Sequence, residues 1–249
     1  MNIVKSRYDG IDKEIKIIPS GDWHLGHKNC VIDLIKQWTS ELSETNRGIL
    51  MGDLAECATK DSIGKGLFDT NMMPEKQYEY IISLLEPYAD YIDGAIIGNH
   101  EERLVNSTSF DITKLICNKL NIPYLHYNGY IKYSWNKVAY TFNIWHGAGK
   151  GSTSANAIKQ CEDMSNRCIA DVYLMGHVHK LLKSDRIVNI PDVRNMKVNK
   201  IKQYFITTGS ALDYDDGYAE MKGLQPRILG YPTVILSGIK GSKEIEVRL

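Results

Sequence analysis

Eight residues in five short stretches have the types and spacing to do chemistry together. They are Asp22-x-His24, Asp53 after Gly52, Asn99-His100 after Gly98, His146 before Gly147, and His177-x-His179 after Gly176. Carboxylates, a carboxamide and imidazoles form a nitrogen–oxygen ligand shell without thiolate. That shell suits Mn²⁺, Zn²⁺ or Fe rather than an all-oxygen Ca²⁺ site or a zinc–thiolate site. Leaving His100 aside, seven ligands exceed what one tetrahedral ion needs, so two ions sharing a carboxylate is the economical reading. Paired divalent ions suit in-line displacement at phosphorus.

Each stretch follows an apolar, strand-like run: Ile15–Ile18, the residues before Asp53, Ala95–Ile97, the run ending at Trp145, and Val172–Met175. A lone Gly-Asp is more often a turn. Five such endings in order point to neighbouring strands delivering ligands to one sheet edge. In extended chain, residues i and i+2 face the same side, so Asp22 with His24, and His177 with His179, would each face one pocket. Asn99 and His100 are adjacent and should diverge, one toward metal and one toward substrate. Glu56 and Glu101 fit either partners that orient ligands or solvated and capping roles. His27 and His126 are isolated and read as solvated or core histidines.

The order of elements is α/β at first and β-rich later. Residues 1–14 read as a polar lead-in and edge strand. A helix is predicted over 29–44 with Asn29 as N-cap, and a strand over 47–51, giving a parallel strand–helix–strand unit. Residues 54–73 read as a long loop beside the site, Pro74 opens a helix to about Tyr88, and Asp111 opens another to Leu120. A hairpin turns at Asn136-Lys137 and feeds His146. A helix spans about Ala155–Asp163, and strands follow from Lys180. No linker demands a cut, so residues 1–249 are read as a single domain.

With 249 residues the chain can bury a sizeable core. Thirty Lys and Arg balance thirty Asp and Glu, so no global attraction to nucleic acid is indicated. No apolar run reaches the roughly 18–20 residues that span a bilayer, and the polar start lacks a signal-peptide core. The expectation is a soluble, cytoplasmic protein with no membrane association. Five cysteines without a C-x-x-C pair read as reduced thiols, Cys57 included.

The ordered set D-x-H, GD, GNH(D/E), H and GHxH resembles the calcineurin-like metallophosphoesterase superfamily over residues 20–180. The resemblance implies a four-layer α/β/β/α sandwich with a dimetal site at the sheet edges, the late β-rich segment supplying the second sheet. It implies that Asp22, His24, Asp53 and His179 hold one ion, and that Asp53, Asn99, His146 and His177 hold the other, with Asp53 bridging. His100 would face the scissile phosphate, as transition-state stabiliser or proton donor, and a metal-bridging hydroxide would attack phosphorus. After Asp53 the chain reads LAECAT, without the D-R-G continuation of the Ser/Thr protein phosphatase branch. The chain is therefore more similar to the nuclease, nucleotide phosphodiesterase and small phosphoesterase branches.

For substrate, the expectation is a phosphodiester, nucleic acid or nucleotide, hydrolysed with two divalent ions, Mn²⁺ favoured and Zn²⁺ or Fe as alternatives. A phosphomonoesterase acting on a nucleotide or small phosphorylated metabolite is the alternative, and a non-catalytic scaffold the third reading. Lys180, Lys183, Arg186, Arg194, Lys197, Lys200 and Lys202 face only Asp185 and Asp192 in number. A hairpin there, if near the site, would hold a phosphate backbone; otherwise it is a solvated, charged edge. Aromatics in it are sparse, so no base-stacking platform is evident there. The acidic, tyrosine-bearing segment 209–226 reads as a loop bordering the site.

Overall fold

The structure is a computed structural model that describes all residues except 1, 9–13, 60–68, 136, 150, 152, 216–219, 221, 222, 224 and 240–242. Part of the 54–73 loop, the Asn136 half of the hairpin turn and part of the 209–226 segment therefore lie outside the described residues.

Strands β1 (Asn2–Tyr8), β2 (Ile15–Ser20), β3 (Asn46–Leu50), β4 (Ile92–Ala95), β5 (Asn128–Trp135), β6 (Val138–Trp145), β7 (Val172–Met175), β8 (Leu181–Asp192), β9 (Lys197–Thr208), β10 (Thr233–Leu236) and β11 (Ile245–Arg248) form two sheets. The five-stranded sheet runs β11-β10-β2-β3-β4, and the six-stranded sheet β1-β5-β6-β7-β9-β8. Strands β2, β3 and β4 are mutually parallel, as are β6, β7 and β9. Helices α1 (Ile32–Glu41), α2 (Pro74–Leu85), α3 (Asn99–Thr108), α4 (Ile112–Leu120) and α5 (Ser154–Asp163) complete the order.

The period-2 alternation of strands assigns the layers. Ile17, Ile49 and Met51 face the other sheet and meet Phe142, Ile144, Leu174 and Ile206. Their neighbours Ile18 and Leu50 point the other way, onto Ile35, Trp38, Ile81, Leu85 and Ile116 of the helices. On the far side, Tyr173 and Phe205 pack against Ala157 and Cys161 of α5. Three apolar interfaces separate four layers, so the α/β/β/α sandwich is observed. α1 shows why this sequence docks there: Ile35, Trp38 and Leu42 fall on one helical stripe, and the Trp38 indole donates to Ile18 O at 3.1 Å.

Several expectations change. The late β-rich segment does not make a sheet of its own: β8 and β9 complete the six-stranded sheet, whereas β10 and β11 return to pair with β2. Asn29 is not the cap of α1. Residues 29–31 are tied to the 211–213 segment instead, through Val31 N–H to Ala211 O (2.8 Å) and Asp213 N–H to Asn29 O (2.9 Å), so the helix starts later. Asp111 does cap α4, accepting from Lys114 N–H at 2.9 Å. Helix α3 is unannounced in the sequence, because 99–108 is mostly polar and buries only Glu101 and Leu104.

The basic hairpin is formed, but it points away from the ligand-bearing end. β8 leaves that end at Leu181 and runs antiparallel to β9, whose Lys197–Gln203 portion pairs with β8 alone. Twelve residues of strand carry the turn about 40 Å along the sheet, so the hairpin tip is not beside the site. No helix among the described residues is long and apolar enough to cross a membrane.

Candidate metal centre

Five strand ends on two sheets deliver the predicted residues to one place. Asp22 and His24 follow β2, Asp53 follows β3, Asn99 and His100 follow β4, His146 follows β6, and His177 and His179 follow β7. Ligand atoms of Asp22, His24 and His179 lie within 4.8 Å of one another, as do those of Asp53, His146 and His177. Asn99 Oδ1 joins the second group, 3.1 Å from His146 Nε2 and 2.7 Å from His177 Nδ1. Asp53 Oδ2 lies between the groups, 3.2 Å from His146 Nε2 and 4.0 Å from His24 Nε2.

The convergence does not come from extended chain. Asp22, His24, Asp53, His177 and His179 all have φ between 49° and 67°, a left-handed conformation that β-carbon sterics disfavour and that concentrates at functional sites. Neighbouring turns lock it: Asp22 N–H donates to Gly52 O (2.9 Å), and Trp23 and His24 N–H to Asp53 O (2.8 and 3.0 Å). Gly98 is needed for the closest approach, since a β-carbon there would fall 2.1 Å from Asp53 Oδ1 and 2.2 Å from Asp53 N.

Helix α3 places Asn99 and His100 in its first turn. There the free His100 N–H donates to Asp53 Oδ1 at 2.8 Å, with the positive end of the helix turned to that carboxylate. Glu101 is the cap. Its carboxylate accepts from Gly98, Asp53, Leu54 and Ala55 N–H at 2.6–3.0 Å, joining the Gly-Asn-His turn to the Gly-Asp turn. Burial, with Asp53 close by, raises its carboxyl to about 7. Glu56 takes the orienting role: Oε2 meets His24 Nδ1 at 2.9 Å and His100 Nδ1 at 3.1 Å.

These contacts fix which ring nitrogens present lone pairs. The Nδ1–H of His146 goes to Met51 O (2.7 Å), which leaves Nε2 as an acceptor. In His177 the Nε2–H goes to Gly149 O (2.8 Å), which leaves Nδ1 as the acceptor. His24 gives Nδ1–H to Glu56, so its Nε2 is an acceptor too, 3.0 Å from His179 Nε2. With the His146 ring neutral, three acceptors, His146 Nε2, His177 Nδ1 and Asn99 Oδ1, thus face one another, and either a proton on His146 Nε2 or a bound cation must stand between them. The donor set fits a divalent cation at both groups.

Electrostatics point the same way. Burial opposes charge on His146, yet Asp53 and then Asp22 raise it to about 10. Burial also opposes charge on Asp53, and His146 and His100 overcome it, holding the carboxyl well below its usual range. The pocket thus stabilises positive charge between its carboxylates. His24, away from that balance, is pulled down to about 4 by burial and by His100.

His100 belongs to neither of these two groups; its ring nitrogen clusters instead with His24 and Glu56. Its Nδ1 is held by Glu56, through Oε2 and the backbone oxygen, both at 3.1 Å. Its Nε2 turns toward the site, 3.9 Å from Asp53 Oδ2, and its side chain is 20 % exposed. His27 lies apart and accepts from Asn29 N–H (3.1 Å); His126 stands between Tyr124 and Tyr127. The Cys57 thiol is buried and pushed well up by burial, as a structural thiol would be. The segment after β9 does border the site, with Ser210 Oγ donating to Asp22 O at 3.0 Å.

Two arginines escaped the sequence reading because neither sits in a motif. Arg227 donates to Val178 O, between His177 and His179, within electrostatic reach of Asp22. Arg103, one turn along α3, is near His100; burial and then Arg103 oppose that ring's protonation, but Asp53 and Glu56 outweigh them and raise it.

No family model matches the chain, and no curated protein does. Solved structures align with most of the chain at low identity. A metallophosphoesterase from Sphaerobacter thermophilus is 12% identical over 94% of this chain and 87% of its own, with a TM-score of 0.44. Vacuolar protein sorting 29 from Cryptosporidium parvum is 12% identical over 95% and 98%, also at 0.44. A predicted phosphoesterase from Streptococcus pneumoniae is 13% identical over 96% and 100%, at 0.39. Likeness of this degree adds nothing to what the residues' own geometry carries.

Proposed function

We propose that this chain is a two-metal phosphoesterase of the calcineurin-like metallophosphoesterase superfamily, acting on phosphodiesters of the nucleotide or nucleic-acid class. One observation carries the reading. Two groups of convergent acceptors share Asp53 between them, and His100 stands beside Asp53 with Nδ1 occupied and Nε2 turned to the site.

Asp22, His24 and His179 would hold one divalent ion, and Asn99, His146 and His177 the other, with Asp53 common to both; Mn²⁺ suits the mixed nitrogen–oxygen set. Bound ions at such a site supply Lewis-acid charge and activate water. The chain's own residues do the rest. Glu56 fixes the His100 ring so that Nε2 carries the proton or hydrogen bond offered to the ester. From there His100 can stabilise charge on a phosphoryl oxygen or protonate the departing alkoxide, which is general-acid work. The strained Asp22, His24, Asp53, His177 and His179 turns hold the ligands in place beforehand, so little reorganisation accompanies reaction. The retained ligand set, with its orienting hydrogen bonds, supports an enzyme over a scaffold. Arg227 beside the His177–His179 turn and the recess lined by Asn99 and Glu102 of α3 offer the substrate protein surface beyond the ligand groups themselves, which supports a substrate larger than phosphate.

The test is hydrolysis of a simple phosphodiester and a simple phosphomonoester side by side, with Mn²⁺, with Mg²⁺ and with chelator. Mn²⁺-dependent cleavage that prefers the diester is expected. His100→Asn should keep its metal and lose roughly 10²–10⁴-fold in rate. A metal-loaded protein that cleaves neither ester would overturn the reading.

A further inference from the structure

A recess opens on the flank of the second ligand group. Asn99, Glu102, Tyr127, Trp145 and His146 are among the residues that line it, and it encloses about 50 Å³. That volume takes one edge of a planar ring and not a whole nucleoside, so a ring entering it would lie across the mouth. Tyr127 is there to meet it, 47 % exposed, although large aromatic side chains at a surface normally bury most of their area.

The wall is held in position. Ile97 N–H donates to His126 O at 3.0 Å, and His126, at φ 65°, turns the chain so that Tyr127 comes to the α3 face. The His126 ring backs Tyr127 edge-on at 4.2 Å. Arg167 lies over the Trp145 ring at 4.5 Å. Glu102 stands three residues after Asn99 on α3, one turn along the same face. Its carboxylate is beside the Tyr127 hydroxyl, which burial and that charge together raise. No cation pairs with Glu102 among the described residues.

A carboxylate next to an anion-binding centre repels the phosphate itself. It is suited to a neutral group bearing N–H donors. Aromatic walls select a planar ring, and a phosphate at the metal centre fixes that ring's distance. We propose, building on the phosphoesterase reading, that this recess is a nucleobase subsite. The base of a nucleotidyl ester stacks on Tyr127 and presents its N–H edge to Glu102, and its phosphate lies over Asn99 and His146. Stacking on aromatic side chains tolerates any base, whereas a carboxylate accepts from amino-bearing edges.

The test is binding to the Mn²⁺-loaded protein, titrated separately with inorganic phosphate, phenyl phosphate and nucleoside 5′-monophosphates. Calorimetry gives the affinities. Tryptophan fluorescence gives a local signal, because Trp23, Trp38 and Trp135 are buried and Trp145 borders the recess. Nucleoside monophosphates should bind roughly 5- to 150-fold more tightly than phosphate, the span of one stacked base, and quench Trp145. Tyr127→Ala should remove that margin with phosphate affinity kept, and Tyr127→Phe should retain it. Glu102→Gln should narrow the gap between amino-bearing bases and phenyl phosphate. Equal binding of phosphate and nucleotide, equal binding of phenyl phosphate and nucleotide, or a Tyr127→Ala loss that strikes phosphate equally would each overturn the subsite. Failure of the phosphoesterase reading would show instead as no ester hydrolysis, and it leaves these affinities measurable.

Discussion

The two ends of the six-stranded sheet use similar residue types to opposite effect. At the end where β6, β7 and β9 terminate, charged and imidazole groups are buried and interlocked: Asp22, Asp53 and Glu56 are at most 4 % exposed, and each meets at least one histidine of the centre. At the other end the β8–β9 overhang carries Arg186, Arg194, Lys197, Lys200 and Lys202 in water. There Lys202 pairs with Asp185 at 3.1 Å and both are about half exposed, while Val193 and Met196 stand 79 % and 87 % exposed at the tip. Burial, rather than residue type, decides what a charge does. In the dry cluster each group fixes its neighbours' protonation and orientation, whereas exposed charges are screened within about 8–10 Å. A chain with zero net charge thus has a cation-receptive centre whose character composition averages away.

The largest effect should come from the residue common to both ligand groups. Asp53→Asn takes away the carboxylate between His146 and His24 and gives one amide dipole in return. Bound Mn²⁺ per chain, measured by elemental analysis after gel filtration, should fall from two to one or none, with ester hydrolysis lost. Unchanged stoichiometry would separate Asp53 from the metals and erase the contrast between the two ends.

Next comes the cap that joins two ligand turns. Glu101→Gln replaces one accepting oxygen with an NH₂ group, so two of the four N–H donors on that carboxylate lose their partner in a buried place. Each unsatisfied buried donor costs about 1–3 kcal/mol, so unfolding in urea should show a loss of about 2–6 kcal/mol. A loss under about 0.5 kcal/mol would mean that the two turns hold without the cap.

Glu56 tests orientation rather than stability. Glu56→Gln keeps the shape and loses the charge that draws His24 Nδ1–H and His100 Nδ1–H toward it. Mn²⁺ affinity should fall roughly 10- to 100-fold, as when the partner of a ligating histidine is removed. An unchanged affinity would leave Met51 O and Gly149 O, behind His146 and His177, as the only orienting contacts of consequence.

The convergence of these side chains was legible because metal chemistry limits which residue types serve, and each stands at the end of an apolar run that also reads as a strand. The strands were legible as apolar runs, and the layers came from the family resemblance; the structure shows that alternation of Ile17 with Ile18, or Ile49 with Leu50, encodes which face each residue covers. Helix α3 was not, since a polar run with Leu104 as its one buried apolar side chain is helical through Glu101 and the turns it binds. The left-handed turns at Asp22, His24, Asp53, His177 and His179 were hidden for a similar reason: neighbouring backbone imposes them, and local preference opposes them. Tyr127 and Trp145 come from separate segments, so no spacing rule could join them to Glu102. The hairpin was legible as a hairpin, but its direction depended on β8 running antiparallel to β9, which neither strand's own pattern specifies.

The smallest effect should come from the overhang, and it bears most directly on the contrast. Lys197→Glu with Lys200→Glu reverses two exposed charges about 25–35 Å of strand from the centre, well beyond the screening length at physiological salt. Stability should change by less than about 0.5 kcal/mol, and hydrolysis of a small phosphodiester should keep its rate and its salt dependence. Duplex nucleic acid provides the second arm. If its binding, followed by fluorescence anisotropy at two salt concentrations, is also unchanged, the overhang is a solvated edge whose lysines discourage strand pairing. If duplex binding weakens and its salt slope falls while the small ester is untouched, the same lysines grip phosphates remote from the chemistry. The two ends would then differ in task but share one ligand. A change in small-ester hydrolysis itself would mean that the ends are not electrostatically independent, and the contrast drawn from burial would fail.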